Sequence, residues 1–187
     1  MTSLTILGLD PGLATLGFGC LTAAKITPSV VTGSKKIRDN NCNHDPLVQL
    51  IDFGIIETPA KQPLEKRLAT IYEDLQSVIA EFKPDLVAIE KLFFYRMGNT
   101  IAVAQARGVI LLVIGQNEVP YVEYSPPEIK QTLTGYGKAD KQEVQTAITR
   151  EFNLTCMPQP DDAADALAVA LTAWYHHLTP NTTLRKV

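Results

Sequence analysis

The stretch LTILGLDPGLATLGFGCL, residues 4–21, decides the fold. Its first part, residues 4–10, is a nearly unbroken apolar run of strand length that ends in the carboxylate of Asp10. Pro11-Gly12 supplies the turn that stops it. Its last part, residues 16–21, reads as a second strand after only a short gap. Strands joined this closely run antiparallel, because a parallel return needs a crossover of roughly a dozen residues or more. The chain therefore opens on a hairpin whose first strand is buried and carries Asp10 at its carboxyl end.

Working outward, residues 25–46 contain GSKK and DNNCNHD and show neither helical nor strand period. They are expected to form a mobile loop or insertion. Residues 47–58 form a third strand candidate, strongest at DFGIIET. Between residues 64 and 82 the apolar positions 64, 68, 71, 75, 78, 79 and 82 follow a helical period, and Lys83-Pro84 ends it. Leu86-Val87-Ala88-Ile89 is a short continuous apolar run closed by Glu90, the pattern of a central strand covered on both faces. A second long helix over 99–116, a short strand over 119–124 and a short helix from Pro126-Pro127 to about Thr134 come next. After the turn Gly135-Tyr136-Gly137, helices are expected over 141–152 and 161–177. The order is β-β-β-α-β-α-β-α-α-α. Short early connections make the first strands antiparallel, and helical crossovers make the later ones parallel. The expected architecture is α/β: a mixed five-stranded sheet flanked by helices, in one domain over 1–178 with a flexible tail at 179–187.

With 187 residues, 45% of them apolar and 20% charged, the chain has an ordinary globular composition and the length of a single core. No apolar run approaches the ~18 residues of a membrane span, and no signal peptide is visible, so no membrane association is expected. Cys20, Cys42 and Cys156 lie far apart, which speaks against a disulfide framework and a structural zinc site. A reducing, cytoplasmic setting is expected. The net charge of −3 by itself counts against nucleic-acid binding, which uses Lys and Arg on phosphates, unless several acids are gathered in one metal site.

The acids do fall into a pattern. Asp10 and Glu90 each end an apolar strand, and in sheets with helical crossovers sites gather at the carboxyl ends of strands. Either residue alone is equally well explained as the start of a solvated loop. In Asp161-Asp162-Ala163-Ala164-Asp165, the first two acids have routine roles as a cap or macrodipole partner. Asp165 stands in a helix apolar nearly all round, where a buried charge needs a partner or a metal. Asp162 at i, i+3 and Asp161 at i, i+4 share its face equally well on spacing. Carboxylates without His or Cys suit Mg²⁺ or Mn²⁺. Two such ions about 3.5–4 Å apart clamp the attacking and leaving oxygens of a phosphoryl displacement.

GLDPG at 8–12, VAIEKLFF at 87–94, QARG at 105–108, KQTLTGYGKADK at 130–141 and DDAADALA at 161–168 follow one another in an order that resembles the RuvC-type Holliday junction resolvases, from residue 4 to about 178. The resemblance implies a ribonuclease-H-like fold, a homodimer, and Mg²⁺-dependent paired nicking of four-way DNA junctions that leaves 5′-phosphate and 3′-hydroxyl ends. It assigns Asp10, Glu90, Asp162 and Asp165 as catalytic acids holding two Mg²⁺ per subunit, with Mn²⁺ an expected substitute. It prefers Asp162 over Asp161 because DAADALA matches from Asp162 onward. It places Lys130 and Lys141 at the DNA and gives Phe93 the role of an aromatic wedge at the junction centre. Physically, an exposed aromatic can stack on an unpaired base, although ordinary core and surface roles fit Phe93 and the two lysines equally well. The RuvA–RuvB branch-migration complex is a candidate partner by the same resemblance.

Two features depart from the family pattern: the polar segment 32–46, and Lys91 where many relatives carry Gln. Setting the four acids aside leaves sixteen acidic against seventeen basic residues, and between Lys91 and Arg150 there are seven basic and five acidic ones. That is a local patch and no strong electrostatic footprint. The Ala-rich helix from Asn99 suits close packing in the core or across a dimer axis. Three other readings compete: a ribonuclease-H-like enzyme acting on RNA, a junction-binding module without catalysis, and a fragment of an actin-like ATPase. The two-lysine spacing and Phe93 weigh against the first, and the four acids against the second. A chain of this length lacks the second half that the third requires.

Overall fold

The computed structural model describes residues 3–24, 48–92 and 97–177. The expected loop at 25–46, the tail at 179–187, Cys42 and Phe93 lie outside the described residues. The elements are β1 (Ser3–Asp10), β2 (Thr15–Ala24), β3 (Val48–Glu57), α1 (Leu64–Phe82), β4 (Leu86–Glu90), α2 (Met97–Gln116), β5 (Tyr121–Tyr124), α3 (Pro126–Thr134), α4 (Lys141–Glu151) and α5 (Asp161–His177). They form one five-stranded sheet in the order β3-β2-β1-β4-β5. β1 pairs antiparallel with β2, and β2 with β3; β1 pairs parallel with β4, and β4 with β5. This is the expected mixed sheet, with β1 as the strand where its direction changes.

The element ends differ from the sequence reading where hydrogen bonding, not hydrophobicity, sets them. β2 runs on to Ala24 because Thr22, Ala23 and Ala24 still face partners on β1. β5 starts at Tyr121 instead of Val119 because the Val119 amide donates back to the Ile114 carbonyl at the end of α2 (3.3 Å).

The core has two sides. Leu4, Ile6, Leu21, Ala88 and Val122 pack with α3, α4 and α5 on one face of the sheet. Leu7, Leu9, Cys20, Val87 and Ile89 pack with α1 and α2 on the other. The alternating residues of β4 thus enter opposite layers, which is why that strand reads as one apolar run. α5 is buried along nearly its whole length, from Ala163 to Trp174. It lies directly on β1 and β2 because those strands carry glycine beneath it. A Cβ on Gly8 would overlap the Ala166 carbonyl, and one on Gly17 the Asp162 carbonyl. This close approach brings the acidic first turn of α5 over the carboxyl end of β1.

Candidate active site

Leu9 of β1 stands beside Ile89 of β4 in the parallel ladder, so the next residues, Asp10 and Glu90, end neighbouring strands side by side. The first turn of α5 adds Asp162 and Asp165 from above. Asp10 senses the other three carboxylates. Burial pushes Asp10 up to about 8, with Glu90, Asp165 and Asp162 adding to the rise and Lys141 opposing it. Burial likewise pushes Glu90 up to about 7, with Asp165 adding and Lys130 opposing. Asp165 is also raised, first by burial, with Lys141 pulling it back and Asp161 and Asp162 adding. Each ionised neighbour in a poorly hydrated notch makes the next ionisation harder.

Two lysines enter the same notch. A cleft of about 220 Å³ is lined by Glu90, Asp165, Lys130 and Lys141 against an apolar wall that includes Ile129 and Val144. Lys141 Nζ lies 3.1 Å from Asp165 Oδ2 and 3.2 Å from Asp161 Oδ2. Burial works against its charge, but these two carboxylates outweigh burial and hold its pKa above the ordinary lysine value. Its position is fixed locally. Lys141 is the first residue of α4, whose start is closed by reciprocal bonds between Asp140 and Glu143, both 2.8 Å. At the start of α3, which carries Lys130, the Ser125 amide (2.7 Å) and hydroxyl (2.6 Å) both donate to Glu128 Oε2. The turn between the helices is pinned by Gln131, whose Oε1 accepts from the Gly137 amide (3.0 Å) and whose Nε2 donates to the Gly135 carbonyl (2.8 Å). The helical hairpin therefore returns both lysines to one cleft.

The remaining residues singled out from sequence fall elsewhere. Asp161 is exposed and accepts from Lys141 and from Gln145 Nε2 (3.2 Å). Lys91 pairs with Glu128 (3.6 Å) in an exposed ion pair. Arg107 is committed to an internal ion pair with Glu123 that ties α2 to β5, so it adds little to a basic surface. Phe93 and the segment 32–46 lie outside the described residues.

Sequence reasoning missed Thr58 and Arg67. Thr58 is buried; its amide donates to the Ala14 carbonyl (2.9 Å) and its hydroxyl to the Leu13 carbonyl, which pins the turn after Asp10. Arg67 Nε donates to Thr58 Oγ1 at 2.9 Å. A signal was present: Arg67 occupies the first position of the i, i+4 stripe continued by the buried Ile71, Leu75 and Ile79. A cation on the inward stripe of a helix calls for a reason.

The donor chemistry around Asp10 is all carboxylate oxygen, which fits a hard divalent cation. Among the described residues no group of three or more Asp, Glu, His or Cys side chains closes around a single cation position. Asp165 is engaged by Lys141, so the acids are gathered by the fold without being drawn onto one point.

The family model for crossover junction endodeoxyribonuclease RuvC matches residues 6–173. Crossover junction endodeoxyribonuclease RuvC of Gloeobacter violaceus is 55% identical over 180 residues, covering 96% of this chain and 93% of that protein. The structure of Thermus thermophilus RuvC superposes with a TM-score of 0.79 at 29% identity, covering 98% of this chain and 100% of that one. The same enzyme in complex with a Holliday junction substrate gives a TM-score of 0.80 at 30% identity, covering 97% and 99%. The mixed sheet with its five helices is therefore the ribonuclease-H-like fold of those structures. A match this long, on a chain that gathers carboxylates at the ends of β1 and β4, leaves one conclusion: this protein belongs to the RuvC family of crossover junction endodeoxyribonucleases.

Proposed function

We propose that this chain resolves Holliday junctions in DNA recombination and repair, by paired symmetric nicks that leave 5′-phosphate and 3′-hydroxyl ends. The observation that carries the reading is the gathering of Asp10, Glu90, Asp162 and Asp165 from three elements beside Lys130 and Lys141. We assign the four acids to holding Mg²⁺, two ions per subunit, with Mn²⁺ as substitute. Such ions supply an activated water and offset charge on the leaving 3′ oxygen. Because Asp10 and Glu90 keep protons up to about 8 and about 7, cation and proton compete for the same oxygens near neutral pH. Lys130 and Lys141 orient the scissile phosphate and offset its developing charge. Phe93, three residues after Glu90 in sequence, is assigned to opening the junction centre.

Two nicks call for two sites, and α2 supports a homodimer. Ile101, Ala104, Gly108 and Leu112 follow one another along an exposed face of that helix. Ile101 is 73% and Leu112 53% exposed. A Cβ on Gly108 would meet nothing within 4 Å, so packing inside the subunit does not demand glycine there. A small-residue gap between exposed apolar side chains fits a self-complementary contact about a two-fold axis. No helix among the described residues is long and apolar enough to cross a membrane; we assign the work on DNA to the cytoplasm. The RuvA–RuvB branch-migration complex is the partner the family resemblance suggests.

The test is nicking of a synthetic mobile four-way junction, with Mg²⁺ and with chelator, beside linear duplex and an RNA competitor. Symmetric paired nicks on the junction alone, dependent on Mg²⁺ and lost in Asp165→Asn while binding persists, are the expected result. Binding without nicking in any divalent metal would leave a junction-binding module. Preference for RNA would move the protein to another branch of the fold.

A further inference from the structure

A second cleft, of about 420 Å³, shares no lining residue with the first. Its walls are the turn Gly12–Thr15 that follows Asp10, Ala102 and Val103 of α2, Asp162 of α5, and Arg67 of α1. Asp162 belongs both to this cleft and to the group of acids acting on Asp10. The acids thus reach two clefts, Glu90 and Asp165 beside Lys130 and Lys141 in the first, Asp162 beside Arg67 in the second.

Arg67 is half-buried, and among the described residues its side chain bonds only through Nε, to the buried Thr58. Among the described residues no carboxylate pairs with it, although it lines a cleft together with Asp162. A tether at Nε alone leaves the two terminal nitrogens as a fixed, planar pair of donors, the arrangement that matches two oxygens of a phosphate. A purely structural tie to Thr58 would need one donor and no charge. The position also answers an electrostatic need. Where the acids carry charge that no cation offsets, a DNA strand brought across them is repelled, and Lys130 and Lys141 line the first cleft alone.

We infer that the second cleft holds a backbone phosphate of the cleaved strand, one next to the scissile phosphate, and that Arg67 binds it through its terminal guanidinium nitrogens. The inference rests on the DNA-cutting activity proposed above. It makes Arg67 a DNA-binding residue in a cleft separate from that of Lys130 and Lys141. It also couples that contact to the turn carrying Asp10, because Arg67 bonds Thr58 and Thr58 bonds Leu13 and Ala14.

The experiment measures binding of the full chain to a labelled four-way junction without cleavage, in chelator, over a range of salt. Junctions carrying a single uncharged methylphosphonate at successive linkages around the cut are compared for wild type, Arg67→Gln and Arg67→Lys. One linkage within about two of the cut should weaken wild-type binding roughly tenfold, and Arg67→Gln should show a similar loss on unmodified DNA with no further loss at that linkage. The slope of log affinity against log salt should fall by about one phosphate in Arg67→Gln and stay near wild type in Arg67→Lys. An Arg67→Gln protein that melts lower and cuts slower, yet keeps the wild-type salt slope and methylphosphonate profile, would reduce Arg67 to a structural tie and overturn the inference. If Arg67→Gln does not fold, the wild-type profile and Arg67→Lys decide, and an absence of any sensitive linkage near the cut overturns it. Wild type that neither binds nor cuts the junction would sink the proposed activity and this inference together. Wild type that does both while Arg67→Gln matches it sinks the inference alone.

Discussion

Lys141 and Asp165 are joined by a 3.1 Å charge-assisted hydrogen bond, and the same ammonium lies 3.2 Å from Asp161. The acid cluster therefore contains a cation supplied by the chain itself. It opposes the rise in the pKa of both Asp165 and Asp10, so the lysine is electrically part of the site as well as one of its walls.

Replacing Lys141 with Met should cut the nicking rate by roughly a hundredfold or more, the usual cost of losing one donor aimed at developing charge. Because Lys141 lowers the pKa of Asp165 and Asp10, its loss should also move the acid limb of the pH–rate profile to higher pH. Single-turnover cleavage of a four-way junction across pH reads both effects. A slower enzyme with an unmoved limb would show that the lysine contacts DNA without tuning the acids.

Stability should depend on pH through Asp10. Its carboxyl goes from an ordinary 3.8 to about 8 on folding, so between those values the native state holds a proton that the unfolded chain has released. Stability then falls as pH rises across that window and is flat above it. In chelator, melting temperature should decline from pH 4 toward pH 8, and Asp10→Asn should flatten the decline, gaining several degrees at pH 8 and less at pH 5. Adding Mg²⁺ should raise the wild-type melting temperature at pH 8 and leave Asp10→Asn little changed. Thermal melts of the two proteins under these conditions check the sign directly.

Gly17→Ala tests how α5 is held on the sheet. The added Cβ overlaps the Asp162 carbonyl, and the obstacle is backbone, which cannot swing aside as a side-chain end can. Overpacking of this kind costs about 1–3 kcal/mol. Displacement of the first turn of α5 should also carry Asp162 and Asp165 away from Asp10, so nicking should fall by more than the stability loss alone explains. Denaturant unfolding paired with cleavage at a temperature where the variant is folded separates the two.

Leu112→Lys addresses the proposed dimer. Leu112 is exposed on α2, so the substitution should leave the melting temperature of the isolated subunit nearly unchanged while placing like charges face to face across a two-fold contact. Sedimentation should find a monomer, and junctions should acquire single nicks in place of paired ones. A dimer that persists would move the interface to another face.

The order of elements was legible in the sequence because each carries its own period. The apolar positions 64, 68, 71, 75, 78, 79 and 82, with Lys83-Pro84 after them, gave α1 its bounds, and the continuous run 86–89 gave a strand covered on both faces. Where boundaries depended on a distant partner, as at Thr22–Ala24 opposite β1 or Val119 bonded to Ile114, local pattern misread them by a few residues. Asp165 stood out as a charge in an apolar helix. Arg67 passed unnoticed although it lies on an equally apolar stripe, because its partner Thr58 and its cleft are made by segments it does not touch in sequence.

The sequence by itself determined which residues were available: carboxylates at two strand ends and at the head of an apolar helix, and lysines eleven positions apart on either side of a glycine turn. Those choices are local, since periodicity and turn chemistry act over a few residues. Only the tertiary structure decided what these groups do to one another. The parallel register of β1 and β4 sets Asp10 beside Glu90, and the glycines beneath α5 let its backbone settle on the sheet. The α3–α4 hairpin returns Lys141 to Asp165. Coulomb energy and desolvation depend on distance and burial through space, and the sequence does not state either one.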